Sequence, residues 1–298
     1  MEGFNFNQLF DMSALIFIDT NILLDFYRYP RGSAILSVLD HIENNLEKII
    51  TSTQIEMEYK KNRQKVILGS MSEMKGPKWD SHKLPVILSG TQAAQSIEND
   101  KKDIEKQSKI LRKKIESVLR NPSRNDDVFK TLQKLFKADS QLNLKRPDPT
   151  RFTIRNLARK RFILGYPPRK DSDVAIGDAI NWEWVVHCAQ KMNQDVVIVS
   201  RDSDYGCKLG DQPIINDWLA QEFKQRVNIR RRVTLTDKLM DGFKFADITV
   251  KKKEIEAEDQ MLSSRSKDKE AAYNLNETDF EKIFNEVFGD IFGNDKKT

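Results

Sequence analysis

A chain of 298 residues, 39% hydrophobic and 32% charged, has apolar material for one sizeable core and charge for long solvated helices besides. Its 50 basic and 45 acidic residues leave +5, a balance that permits a nucleic-acid partner without demanding one. Two cysteines and three histidines, in no metal-binding spacing, exclude a zinc site and leave at most one disulfide; no apolar run approaches a membrane span, so a cytoplasmic protein without membrane contact is expected.

Residues 1–12 lack the basic and apolar regions of a signal peptide and read as a leader that packs Phe4, Phe6, Leu9 and Phe10 on the body. The organising stretch follows. Ala14 to Ile18 is a short apolar run without alternation, which suits a central strand of a parallel sheet covered on both faces. Asp19-Thr20-Asn21 ends it, and Ile22, Leu23, Phe26 and Tyr27 continue with helical spacing to about Tyr29. Asp19 then lies at the carboxyl end of a strand, the edge where open α/β sheets bind ligands. It is equally suited to capping the helix, so its role depends on other carboxylates in equivalent places.

After the break at Pro30–Ser33, Val38, Leu39, Ile42 and Leu46 mark a second helix. Ile49–Thr53 reads as a second strand, followed at once by a helix to about Leu68 that carries Glu56 and Glu58 near its start. Residues 69–91 read as a long loop. From Thr91 to Arg120 the apolar residues Ile97, Ile104, Leu111 and Val118 fall seven apart on an otherwise polar helix, and Val128, Leu132, Leu135 and Phe136 begin another that runs to about Leu144. Residues 69–150 are therefore read as an insertion built on a helical hairpin.

Lys145 to Lys170 concentrates basic residues with Phe152, Phe162 and Tyr166 between them, and Arg151, Arg155 and Arg159 share one helix face. Such a segment suits backbone phosphates and stacked bases. It leads into Gly177-Asp178-Ala179-Ile180-Asn181-Trp182, where Asp178 enters the first turn of a helix that runs to about Met192. Val196–Val199 is a further buried strand, ending in Ser200-Arg201-Asp202-Ser203-Asp204-Tyr205-Gly206. Pro213 to Phe223 reads as a helix and Arg230 to Leu235 as a last strand. From about Thr249 the composition turns charged and Ser-rich, as in a linker or weakly held helix, and a short amphipathic helix with Phe280, Phe284, Phe288 and Phe292 closes the chain.

Asp19, Glu56 or Glu58, Asp178, Asp202 and Asp204 thus lie far apart in sequence, each at a strand end or in a first helical turn. A doubly wound sheet brings those places to one crevice. Carboxylates crowded together need cations, and oxygen-only ligands point to Mg²⁺ or Mn²⁺. An acidic, metal-filled pocket beside a basic segment fits phosphodiester cleavage.

The order of motifs resembles that of PIN-domain nucleases: an apolar strand with DTN, a strand and helix with Glu, GD on a helix, then a strand with SRDSDYG. The segments QIEMEYKKNR, GYPPRKD and GDAINW are similar to those of a PIN-like subgroup with a long helical insertion, found in bacteria and linked to phage defence. The resemblance covers about 12–247. It implies an α/β, PIN-like three-layer fold with a central parallel sheet of about five strands, plus the helical-hairpin insertion and a C-terminal helical tail. The nuclease domain would occupy 1–248, and a charged linker and amphipathic helix 249–298. It implies metal-dependent cleavage of RNA, mostly single-stranded, in preference to DNA. Asp19, Glu58, Asp178 and Asp202 match the family's acidic ligands, and Asp204 its frequent further acid. Asn21 and Ser200 would hold strand ends and ligands, while Asn62, Arg63, Arg161 and Lys170 are candidates for substrate phosphate. Asp171 and Asp173 could also lean into the site. Arg169 stands where the subgroup commonly has Gly after paired prolines, so that turn can differ here. The family's habit of pairing suggests a homodimer, and the insertion or terminal helix would serve a protein partner. A structure-selective DNA nuclease and an RNA-binding scaffold are the alternatives.

Overall fold

The computed structural model describes residues 13–28, 34–73, 86–88, 90–168 and 176–263. The expected leader, the break at Pro30–Ser33, Arg169, Lys170, Asp171, Asp173 and the helix around 280–292 lie outside the described residues.

Five parallel strands form the central sheet: β1 (Leu15–Ile18), β2 (Ile49–Ser52), β3 (Asn143–Leu144), β4 (Val196–Val199) and β7 (Val233–Thr236), in the order β3-β2-β1-β4-β7. β1, β2 and β4 are buried throughout, which is why their sequences show no alternation. Register is fixed by pairs such as Phe17 with Ile50 on one side and with Ile198 on the other. The strand order reverses at β1. Chains leaving β1 and β4 therefore depart in opposite directions and open a crevice at their carboxyl ends.

Helices flank this sheet to give a three-layer α/β fold. α1 (Thr20–Asp25) and α3 (Thr53–Glu73) pack on each other, and α8 (Gly177–Met192) lies against α3, β2, α7 (Thr150–Leu164) and α9 (Asp217–Arg226). The α8 side chains Trp182, Trp184, Val185 and Val186 are buried, and Trp184 Nε1 donates to Thr51 O at 2.9 Å. α10 (Leu239–Phe245) covers β1, β4 and β7.

The first arm of the expected hairpin is α4 (Gln92–Arg120), capped by Thr91, with Ile97, Ile104 and Leu111 exposed. A short α5 (Pro122–Asn125) leads to α6 (Asp127–Lys137), which lies on α2 (Ala34–Glu43) and buries Leu132, Leu135 and Phe136 in the core. α6 stops at Lys137, earlier than its pattern suggests, and the chain adds β3 to the sheet edge.

Three other differences from the sequence reading have local causes. α3 runs beyond Leu68 to Glu73. The segment read as one helix from Pro213 first pairs β5 (Gly206–Leu209) with β6 (Gln212–Ile215) in an antiparallel ribbon. Pro213 is tolerated there because an isolated two-stranded ribbon leaves edge positions that need no N–H donor. Asn216 then caps α9 by accepting from Trp218 N–H at 2.9 Å. Finally, residues 252–263 form a helix, α11, with Glu254, Glu258 and Met261 buried. The start of the expected linker is thus packed on the body.

Candidate active site

Asp19 leaves β1 and caps α1, its Oδ1 accepting from Thr20 N–H at 2.6 Å. Its Oδ2 accepts from Asn21 Nδ2 at 2.8 Å and from Ser200 Oγ at 2.5 Å. Because Ser200 follows β4, one carboxylate joins the ends of the two central strands. Ser200 Oγ also accepts from Asp202 N–H at 3.1 Å, and Asn21 Oδ1 accepts from Arg201 N–H at 3.3 Å. The turn carrying Asp202 is therefore held against the turn carrying Asp19.

Glu58 reaches the same place from α3. Its Oε2 accepts from Thr20 Oγ1 at 3.1 Å, and its Oε1 from Gln54 Nε2, one turn earlier, at 2.7 Å. Glu56 turns away and pairs with Lys60 at 2.6 Å on the helix surface, so Glu58 is the acid of this helix that faces the crevice. Asp178 enters from the first turn of α8. Its neighbour Gly177 makes the close approach possible: a Cβ there would lie 2.4 Å from Glu58 Oε1. Gly177→Ala is expected to displace the Glu58 carboxylate and lower activity roughly tenfold or more. Thermal stability should change little, because the clash falls on the end of a flexible side chain. Cleavage rates and melting curves on the same preparation check this.

Asp204 and Tyr205 lie on a single 3₁₀ turn, Ser203–Tyr205, and both are buried. Tyr205 is the hub of the acidic set. Burial pushes its phenol well above the usual range, and the charges of Asp19, Asp178, Glu58 and Asp204 push it further. Its hydroxyl has no hydrogen-bond partner among the described residues. Burial likewise raises the Asp19 carboxyl to about 7; the Ser200 hydrogen bond pulls it back, while the charges of Asp202 and Glu58 add to the rise.

Asp202 and Glu58 thus act on Asp19, and Asp19, Asp178, Glu58 and Asp204 all act on Tyr205. Among the described residues, no three His, Cys, Asp or Glu side chains are grouped as a ready metal cage. The donor set is nonetheless the right kind for a hard divalent cation: all its atoms are oxygen, and negative charge gathers around an acid that burial already disfavours.

The chain matches a family model described as PIN domain over residues 16–205. It belongs to the PIN-domain family. No curated protein and no solved structure matches it. PIN domains are in general metal-dependent nucleases, hydrolases that use divalent cations such as Mg²⁺ or Mn²⁺. The matched span contains all five carboxylates and ends at Tyr205.

The other candidate residues of this PIN domain divide by burial. Asn62 stays on α3, its Nδ2 donating to Glu58 O at 3.1 Å. Arg63 and Arg161 require correction. Arg63 is 3% exposed and its guanidinium is committed to Asp126, Tyr27 and Val118 O. Arg161 is 4% exposed and is bound to Glu183, Glu222 and Pro167 O. Both are structural cations beneath the surface and cannot reach a substrate phosphate as they stand. Lys170 lies outside the described residues.

Sequence reasoning missed Thr20 and Gln54, which orient Glu58, and Gly177, which admits it. It also missed Asn181, one turn beyond Asp178 and buried, with neither amide atom hydrogen-bonded among the described residues. The spacing of Gln54 and Asn181 from the acids, four and three residues along a helix, was the signal available.

No helix among the described residues is long and apolar enough to cross a membrane.

Proposed function

We propose that this PIN domain is a metal-dependent endoribonuclease that hydrolyses mostly single-stranded RNA, with Mg²⁺ or Mn²⁺ as its cofactor. The observation that carries this reading is the convergence of Asp19, Glu58, Asp178, Asp202 and Asp204 on the crevice where the strand order reverses. Asp19, Glu58, Asp178 and Asp202 are the residues to hold the cations, and Asp204 supplements them. When bound, such cations lower the pKa of an attacking water and stabilise charge on the phosphodiester. The protein's own part is positioning. Thr20 and Gln54 fix the Glu58 carboxylate, while Asn21 and Ser200 fix that of Asp19.

A nucleic-acid substrate is supported by α7, which packs on α8, the helix that carries Asp178. It exposes Phe152, Arg155, Arg159 and Lys160, and Arg151 lies 4.7 Å over the Phe152 ring. An exposed aromatic among cations suits single strands, whose bases can stack. RNA is favoured over DNA by the resemblance of the motifs, and a defence or toxin effector is the setting that suits a regulated ribonuclease. The exposed apolar stripe of α4 is the surface available to a protein partner.

The test is cleavage of matched single-stranded RNA and DNA by the full chain, with Mn²⁺ or with EDTA, beside Asp178→Asn. Metal-dependent RNA cutting that disappears in the variant is expected. Preferential DNA cutting would transfer the reading to a DNA nuclease, and cutting that survives in Asp178→Asn would remove this site.

A further inference from the structure

α4 is 29 residues long, and its packing on the body is with α3 and α5. Helices in proteins draw most of their stability from burying an apolar face. This one leaves Ile97 and Ile104 each 47% exposed and Leu111 38%. Those residues recur every seven positions, with Val118 next in the row. A second row, Ala94, Lys101, Ser108 and Ile115, interleaves with the first at spacings of three and four. Ala94 is buried, and the other three are half-buried. Two such rows are the narrow seam of a two-stranded coiled coil.

The charges beside the seam decide what covers it. Glu98, Glu105 and Arg112 follow the first row on one flank, and Asp100, Gln107 and Lys114 precede the second on the other; all six are exposed. The helix is therefore acidic beside the first half of its seam and basic beside the second. A parallel second copy would set Asp100 beside Glu105 and Lys101 against Lys101 within the seam, which stacks like charges. An antiparallel copy that sets Ala94 against Val118 and Ile97 against Ile115 does the reverse. It brings Glu98 beside Arg112 and Asp100 beside Lys114, each pair occurring twice by the two-fold symmetry. Lys101 then meets Leu111, and the like-charge contact left is Glu105 with its own copy near the axis. Glu98 also faces Lys102 one turn on, but at 3.8 Å between exposed side chains that pair is weak and gives way readily.

We propose that α4 is a self-association helix, through which two copies of this chain pair as an antiparallel two-stranded coiled coil. The charge pattern of α4 is complementary to itself in that one direction and register, which is the reason to assign the stripe to a second copy. Lys101 and Ser108 dilute the seam, so the dimer is reversible. The inference is independent of the nuclease reading.

The experiment is sedimentation velocity of the full chain over a concentration series at low and at high salt. A monomer–dimer equilibrium that weakens with salt is expected. Ile104→Asp should weaken association tenfold or more. Glu98→Lys and Arg112→Glu should each weaken it several-fold, since each places two like-charge contacts in the dimer. Combined in one chain, the same two changes restore opposite charges across the interface and should recover most of the parent's affinity, a rescue that misfolding cannot imitate. Glu105→Gln should tighten the dimer by removing the repulsion at the axis. A chain that stays monomeric throughout, with its stripe left to another segment or partner, would overturn the proposal. So would a dimer indifferent to Ile104→Asp, or a combined variant as weak as either single one.

Discussion

Asp19→Asn is expected to abolish metal-dependent cleavage and, at neutral and higher pH, to stabilise the metal-free protein. Two effects of one carboxylate are separated here. As a cation holder it should be indispensable, and its loss should reduce cleavage by roughly a hundredfold or more. As a buried acid it is a burden on the fold. Burial, which disfavours the charged form, pushes its carboxyl in the folded protein up from the usual 3.8 to about 7. The folded state therefore binds the proton more tightly than the unfolded chain. Stability falls as pH rises from about 4 to about 7 and does not recover above that. Asparagine has no charge to bury. The difference in unfolding free energy between variant and parent should move toward the variant by up to roughly 4 kcal/mol across this interval. Below about pH 4 the variant should gain nothing and lose part of the Ser200 and Asn21 hydrogen bonding. Urea titrations at a series of pH values in EDTA measure the trend. Adding Mn²⁺ above pH 7 should raise the midpoint of the parent far more than that of Asp19→Asn.

Asp126→Ala is expected to destabilise the fold by about 3–5 kcal/mol, with the unfolding midpoint in urea as the readout. Asp126 Oδ2 accepts from Arg63 Nε at 2.9 Å, from Arg63 Nη2 at 2.5 Å and from Tyr27 Oη at 2.8 Å. Its Oδ1 caps α6, accepting from Phe129 N–H at 3.0 Å. Tyr27 and Tyr59 hydroxyls lie 2.6 Å apart in the same cluster, and burial raises both phenols. Both charged side chains are 4% exposed, so removing the carboxylate leaves a guanidinium in the interior without its counter-charge. The capping bond alone accounts for about 1 kcal/mol of the loss. Replacing the pair together, as Arg63→Met with Asp126→Leu, should recover most of the stability, because the cost lies in the stranded charge. Arg63→Lys should not, since an ammonium lacks the fork that reaches Asp126, Tyr27 and Val118 O at once.

The parts of the fold that could be read in advance are those where burial is total. β1, β2 and β4 are unbroken apolar runs because both faces are covered, and the acids at their ends stand out by contrast. The arginines were misread for a related reason. Sequence shows that Arg63 and Arg161 are cationic but not that Asp126, Glu183 and Glu222 arrive from 22 to 63 residues away to neutralise them. β3 is two residues long, too short for any period, and exists because β2 offers it an edge. The β5–β6 ribbon hides behind Pro213, whose usual meaning is a break. The family resemblance already picks Glu58 over Glu56; the physical reason, the helix phase that sets Glu58 against Thr20, comes from the packed structure.

The attachment of α11 has a dynamic consequence. α10 begins at Leu239 after Lys238, which offers no side-chain cap; the amides of Leu239 and Met240 instead donate to Glu258, at 2.6 Å and 3.0 Å, from a helix that comes later in the chain. The same carboxylate meets Arg201, which also binds Asp25 at the end of α1. Release of α11 would therefore uncap α10 and unlatch the residue that precedes Asp202 in one event. The two helices and the β4 turn are therefore expected to open as a single cooperative unit. In native-state hydrogen exchange, the amides of Leu239, Met240 and Asp202 should share one opening free energy, below that of the central strands. The lifetime of the closed form would then set how long the acidic crevice keeps its shape.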